Sequence, residues 1–426
     1  MQSRFLSLPS FGLAAAAAAI ACSSPDAPER SSSVVRQENI GRGSSIGPRV
    51  IKGKNSDTSQ DAVVLLIHYD PSAGQVASCT GTLLSPRLVL TARHCVADTD
   101  ESAACDVSGA PLAQGVVRAN HPASTMYVFT GPTRPDFSGG TKVTPAGIGM
   151  KILDDGGKNL CNHDIAMVVL KEPIADAKIS PIRLDGPIGK SELVTAIGWG
   201  VTEKTDQPNT RQQRSGIAIV GIGPDDTGNL AVPPNEFQVG ESICSGDSGG
   251  PALADTGAII GVVSRGGNAT KPNPSTPASS CLNGLNLYTK VAPFKDFILQ
   301  GFALVEADPW YENGADPRLA KPGATCTDGA ECRSNHCLAT DVKVPAVTTC
   351  AEDCSASACP DGQVCKTEGA VQVCRSPAAP AKATTTTTSG CTTHARGAGS
   401  SSSNGAVALA LAALGLVALR RRSARS

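Results

Sequence analysis

The sequence predicts an all-β protein, a barrel or a sandwich, and three observations carry that expectation. From Val50 to about Phe302 the chain reads as short β-rich runs separated by clusters of Gly, Pro, Asn and Asp. Helical periodicity is scarce until Phe294, Phe297 and Ile298, which would share one face of a short closing helix. Aromatic residues make up 3% of the chain and hydrophobic residues 40%, so a core must be assembled from Val, Ile, Leu and Ala.

The runs themselves are Val63 to Tyr69, Gly81 to Leu90, Met126 to Phe129, Ile165 to Leu170, Leu193 to Gly198, Ile217 to Val220 and Ile259 to Val263. The 426 residues leave room for two or three domains at about 150 residues each. Lys plus Arg total 37 against 38 Asp plus Glu, and a net charge of −1 offers no electrostatic footprint for nucleic acid. Sixteen Cys imply an oxidising compartment.

The ends of the chain point to export. Arg4 followed by the apolar run Leu13 to Ile20 has the make-up of a secretory signal and is too short to span a bilayer. Ala19-Ile20-Ala21-Cys22 resembles a bacterial lipobox, which would acylate Cys22; ordinary cleavage near Ala21 is the alternative. At the other end, the apolar segment Ala406 to Leu419 would reach about 21 Å as a helix, short of a hydrocarbon core of about 30 Å. Together with Cys391 and the cluster Arg420-Arg421-Arg422 it resembles the MYXO-CTERM sorting tails of surface proteins, in which Cys391 would be processed.

After about Lys321 the composition changes. Cys326, Cys332, Cys337, Cys350, Cys354, Cys359, Cys365 and Cys374 crowd a stretch almost without large apolar side chains, so disulfides must carry its fold. Eight Cys allow on the order of a hundred connectivities, and the order of residues does not choose among them. Zinc is the weaker reading of this cluster, since His336 is the one His there and the compartment is oxidising; no metal or cofactor is expected.

The chemistry is concentrated in three segments. Cys244-Ser245-Gly246-Asp247-Ser248-Gly249-Gly250-Pro251 sets a Ser among glycines that let backbone N–H groups converge on one point. Leu90-Thr91-Ala92-Arg93-His94-Cys95 ends a β-rich run with a His beside a Cys, and Asn162-His163-Asp164-Ile165-Ala166 opens another run with an acid. A Ser hydroxyl becomes a nucleophile only when a base takes its proton and donors receive the developing oxyanion.

In this order of His, Asp, Ser, the three segments resemble the chymotrypsin-like, trypsin-fold serine proteases, over about Val50 to Phe302. The resemblance implies two six-stranded antiparallel barrels with the site in the cleft between them. It implies Ser248 as nucleophile, His94 as general base and then acid, Asp164 as orienter of His94, and the N–H groups of Gly246 and Ser248 as oxyanion hole. Ser264 would support Asp164, while Ser242, Ser264, Gly266 and Asn286 would line the substrate pocket. It further implies bridges Cys79 to Cys95 and Cys244 to Cys281. Cys105 and Cys161 match no common pair of the family and are left for each other. Cleavage between Arg49 and Val50 would free an α-amino group to pair with Asp247.

Two departures stand out: Arg93 replaces the small residue usual before the His, and Arg265 the usual Trp of the substrate-pairing strand. His163 is expected to be exposed or locally capping. With Ser242 where an Arg/Lys-cleaving enzyme carries Asp, uncharged residues are expected before the scissile bond.

The resulting organisation is a signal peptide at 1–22, a propeptide at 23–49, a protease domain at 50–302, a linker at 303–320, a Cys-rich module at 321–376, a Pro/Thr-rich linker at 377–390 and a sorting segment at 391–426. The expected function is a serine endopeptidase of the cell surface or outer membrane, or released from it. Its partners would be protein or peptide substrates, an activating protease and sorting machinery, with no nucleic acid. The competing readings are an inactive protease scaffold used for surface binding or adhesion, and an esterase. Gly246-Asp247-Ser248-Gly249-Gly250 fits the Gly-x-Ser-x-Gly of α/β-hydrolases, but those run Ser, acid, His.

Overall fold

A computed structural model describes residues 50–377 apart from 71–73, 101, 138–142, 227, 229, 269, 272, 274, 342–343 and 356. The signal peptide, Cys22, Arg49, Cys391 and the C-terminal apolar segment lie outside the described residues. Twelve strands build two closed antiparallel barrels. The first contains β1 (Val63–Asp70), β2 (Gln75–Ser85), β3 (Leu88–Thr91), β4 (Met126–Phe129), β5 (Gly147–Asp154) and β6 (Ala166–Leu170). The second contains β7 (Leu193–Gly198), β8 (Gln212–Ile222), β9 (Glu236–Val239), β10 (Pro251–Leu253), β11 (Ile259–Gly267) and β12 (Leu285–Lys290).

Around the first barrel the strands run β1-β2-β3-β6-β5-β4, and around the second β7-β8-β9-β12-β11-β10. The two rings share one topology. Closure removes the edges that open sheets would leave unpaired.

Aliphatic side chains dominate each core, and the second also holds two aromatic rings. Leu66, Leu83, Leu88, Leu90, Val128, Met167 and Val169 fill the first barrel. Val194, Ile217, Phe237, Ile260, Val263 and Tyr288 fill the second, with the Phe237 and Tyr288 rings stacked 5.2 Å apart. The expected closing helix, α1 (Lys295–Leu304), buries Ile298, Gly301 and Phe302. Phe294, expected on its apolar face, instead lies in the preceding 3-10 turn. A Cβ on Gly301 would come within 2.7 Å of Met167, so the glycine lets the helix close on β6.

Two expectations are refined, and one region not anticipated appears. The run Gly81 to Leu90 is two strands, because Pro86 and Arg87 form a turn between β2 and β3. The run Ile217 to Val220 is the middle of an eleven-residue strand. Residues between His94 and β4 form an insertion of two short pairings, Ala97–Thr99 with Val117–Asn120 and Ala103–Cys105 with Pro111–Gln114.

The Cys-rich region contains a duplication. Cys326 joins Cys337 and Cys332 joins Cys350; then Cys354 joins Cys365 and Cys359 joins Cys374. Each group of four is therefore bridged first to third and second to fourth, around its own two-stranded ribbon. With little apolar surface to bury, each ribbon is held by its cross-links.

Candidate active site

The three motif segments meet where the barrels abut. His94 sits in the 3-10 turn Arg93–Cys95 that follows β3, and the bridge Cys79–Cys95 ties this turn to β2. Asp164 precedes β6 and is 1% exposed. Its Oδ2 lies 2.9 Å from His94 Nδ1, and its Oδ1 accepts the His94 backbone N–H at 3.1 Å. Ser264 Oγ donates to Asp164 Oδ2 at 2.6 Å from the second barrel, and Thr289 Oγ1 donates to the Asp164 carbonyl at 3.0 Å.

The electrostatics follow from burial and pairing. Burial pulls the His94 imidazole down, but the charge and hydrogen bond of Asp164 outweigh it and hold His94 above its ordinary value, with Arg265 opposing. Burial pushes Asp164 up, yet the His94 charge and the bonds from His94 and Ser264 keep its carboxyl below the usual range. The pair is thus set to hold a negative carboxylate against a ring that takes up a proton.

Ser248 lies on the loop between β9 and β10, and its carbonyl accepts the Thr80 N–H at 2.8 Å. The Thr80 hydroxyl donates to the Gly246 carbonyl at 2.9 Å and accepts from the Trp199 N–H at 3.2 Å. Thr80 of β2 therefore fastens the serine loop to the first barrel, a task the motif reading missed; its position beside Cys79 was the available signal. Next to Ser248, a Cβ on Gly249 would stand 2.1 Å from Thr91 Oγ1 and 2.9 Å from the Ala92 N, so only glycine allows this approach to the His94 turn. Among the described residues, the N–H groups of Gly246 and Ser248 donate to no other protein group. Gly246 has φ 97°, a conformation that suits glycine.

Asp247 is fully buried. Its Oδ1 accepts from Gly200 N at 2.8 Å and its Oδ2 from Cys244 N at 2.9 Å. No cation among the described residues forms an ion pair with it, and burial pushes its carboxyl up to about 7. The segment Gly198-Trp199-Gly200 packs against this carboxyl. A Cβ at Gly198 would lie 2.1 Å from Asp247 Oδ1, and one at Gly200 2.5 Å from Asp247 Cγ. Val50 and Ile51 are each 0% exposed, Val50 in the second-barrel core and Ile51 against Cys244 and Cys281. Lys52 adopts φ 59°, in the left-handed region that favours glycine. Its N–H donates to Glu203 and its ammonium meets Glu241 at 2.6 Å.

Of the four residues expected around the substrate pocket, Ser242, Gly266 and Asn286 come together, while Ser264 bonds Asp164. Gly266 pairs with Asn286 across β11 and β12. Asn286 Nδ2 donates to the Gly240 carbonyl at 2.9 Å and approaches Ser242 Oγ at 3.3 Å. The Asn286 Oδ1 faces Gly266, 2.3 Å from where a Cβ there would be. The bridge Cys244–Cys281 closes beside them, and Cys105–Cys161 joins the insertion to the Asp164 loop. His163 is half-exposed and bonds Asp155, outside the group around Asp164.

Residues 51–298 match the protein family described as Trypsin. The chain is 28% identical over 232 residues to chymotrypsin of Phaedon cochleariae, covering 51% of this chain and 75% of that protein. It is 27% identical over 283 residues to phenoloxidase-activating factor 3 of Holotrichia diomphalia, covering 59% and 72%. With trypsin of Saccharopolyspora erythraea it shares 23% over 232 residues, covering 52% and 86%. Two like barrels, a buried Asp on a His and a glycine-rich serine loop in the cleft thus accompany a match over more than half the chain: the protein belongs to the trypsin family and is a serine endopeptidase.

Proposed function

We propose that the protein hydrolyses peptide bonds through an acyl-enzyme on Ser248. His94 Nε2 takes the Ser248 proton as Oγ attacks the carbonyl carbon, and the resulting imidazolium is held by Asp164. The oxyanion is received by the Gly246 and Ser248 N–H groups. Collapse expels the amine, which leaves with the proton from His94; water then attacks the ester by the same path and restores Ser248. The observation that carries this reading is the buried Asp164 bonded to both His94 and Ser264, together with the two N–H groups that donate to no other protein group among the described residues.

Activation follows cleavage after Arg49. A buried carboxyl without an ion-pair partner among the described residues, bonded to the N–H of Cys244 against which Ile51 packs, supports an ion pair with the new Val50 ammonium that orders Gly246. The residue before the scissile bond is uncharged and of moderate size. Ser242 offers no carboxylate to a substrate cation, and Asn286 occupies space facing Gly266. We further infer export by the N-terminal signal, a C-terminal anchor dependent on Cys391 and sorting machinery, and an activating protease as partner. If Cys22 carries lipid, that lipid leaves with the propeptide.

The test is a peptide-library digest with the chain matured after Arg49, and Ser248→Ala as control. Cleavage by the unmutated protein alone is expected, without enrichment of Arg or Lys before the cut. Absence of any cleavage would favour a binding scaffold, and cleavage by Ser248→Ala would remove Ser248 from the mechanism.

A further inference from the structure

Arg265 stands on the strand that carries Ser264, and a register shift in the β11–β12 pairing between Val263 and Arg265 re-aims both side chains. Its guanidinium grips Glu236 with two arms, Nη1 to Oε1 at 2.9 Å and Nη2 to Oε2 at 2.7 Å. Glu236 is 0% exposed. Nη1 also donates to Ser264 Oγ at 3.2 Å, and Nη2 reaches Cys105 Sγ, in the bridge to Cys161, at 3.1 Å. Glu236 Oε1 accepts a further bond, the Asn162 N–H at 3.0 Å, two residues before Asp164.

A hydroxyl has one proton, and an arginine can only donate. With an Arg265 N–H directed at its oxygen, Ser264 is left with its proton for Asp164 Oδ2, 2.6 Å away. The same arginine, through Glu236, secures the backbone just ahead of Asp164. Both the carboxylate and the loop of Asp164 are therefore referred to one guanidinium.

We propose that Arg265 is a positioning residue of the catalytic apparatus, fixing Ser264 as a donor to Asp164 and clamping the Asp164 loop through Glu236. The proposal rests on the reading of Ser248, His94 and Asp164 given above. Arg265 also adds positive charge near His94, against the effect of Asp164. The other charged groups around the pair are Glu236 from β9, Arg93 from the His94 turn, Asp154 from the end of β5, and Asp155 with His163 from the loop before β6.

The test uses the full chain matured after Arg49 and p-nitrophenyl acetate, a small acyl ester that needs no specificity pocket. Arg265→Met combined with Glu236→Gln removes both charges and leaves an acceptor for Asn162. This double variant is expected to lower kcat about tenfold, the worth of one hydrogen bond to a charged group. KM should stay within about threefold. In Arg265→Gln, which keeps Glu236, the acid limb of kcat/KM should move to higher pH, because His94 then holds its proton more readily. Arg265→Lys, which keeps the charge, should return that limb to the wild-type position. Should the double variant not fold, Arg265→Gln is read in the same way.

A folded double variant with wild-type kcat would overturn the proposal, as would an unmoved limb in Arg265→Gln or a limb displaced equally by Arg265→Lys. Ser248→Ala separates the two layers of the argument. If it is inactive while the double variant behaves as wild type, only the role of Arg265 fails; if it remains active, the underlying triad fails and the proposal with it.

Discussion

Cleavage after Arg49 should change how stability responds to pH, and Asp247 sets the size of the change. In the uncleaved chain, burial pushes this carboxyl from 3.8 to about 7, against the opposing Cys244 and Gly200 N–H groups and the Arg134 charge. An acid whose folded value lies above its unfolded one binds an extra proton when folded, so its contribution is intact below about 4 and is lost as pH climbs towards 7. The rise corresponds to ~4 kcal/mol of differential stability. A Val50 ammonium beside Asp247 would favour the ionised form and cancel that loss. The assay is urea unfolding from about pH 4 to 8 in a Ser248→Ala background, which prevents self-digestion. Three proteins are compared: uncleaved, cleaved, and uncleaved with Asp247→Asn. Relative to Asp247→Asn, the uncleaved chain should lose up to ~4 kcal/mol over that range, and the cleaved chain little. Parallel pH curves for all three would refute the assignment of Asp247 as partner of the new terminus.

Gly198→Ala should cost about 1–3 kcal/mol and lower kcat, because its Cβ would stand 2.1 Å from Asp247 Oδ1; thermal unfolding and ester turnover read both effects. Replacing Cys105 and Cys161 together by Ser opens a sequence separation of 56, worth ~4 kcal/mol on the chain-entropy model and readable by urea denaturation. The stacked rings of His68 and His121, 3.8 Å apart, each have a buried Nε2 without a partner among the described residues. Burial, and then the charge of His68, push His121 down to about 4. A base depressed in the folded state loses stability as pH falls from its ordinary value towards the folded one, so His121→Gln should flatten the decline between about pH 6.5 and 4. Ser248→Ala should reduce peptide hydrolysis by at least ~10⁴-fold in a direct kinetic assay.

Much of the site could be read from short motifs because catalysis confines chemistry to few residues with restrictive neighbours. The segments around His94, Asp164 and Ser248 were each visible, and the structure gathers them at one cleft. The strands were less legible where the pattern was diluted. Gly147–Asp154 interrupts its alternation with glycines, and Leu285–Lys290 mixes buried Asn286 and Thr289 with apolar residues, so neither announces itself by hydropathy. Thr80 offered only its place beside Cys79 as a signal, because its task depends on a loop 166 residues away. The two arginines at unexpected positions gave no sign of their partners either, since Arg93 meets Asn120 and Asp154, and Arg265 meets Glu236, only after folding. Disulfide pairing in the Cys-rich region was beyond counting, yet the repeat of first-to-third and second-to-fourth bridges makes it simple once seen.

The two barrels are alike in ring order, but neither is sufficient. His94 and Asp164 belong to one, Ser248 and Ser264 to the other, and the bonds that cross between them at the site include Thr80 to the serine loop, Ser264 and Thr289 to Asp164, and Glu236 to Asn162. Activity therefore works as a vernier on the alignment of two halves packed against each other. A slip of about 1 Å between them would leave both aliphatic cores dry while costing about a hundredfold in rate. Inactivation should accordingly precede melting in this protein, and the joint, more than either core, sets the conditions under which it works.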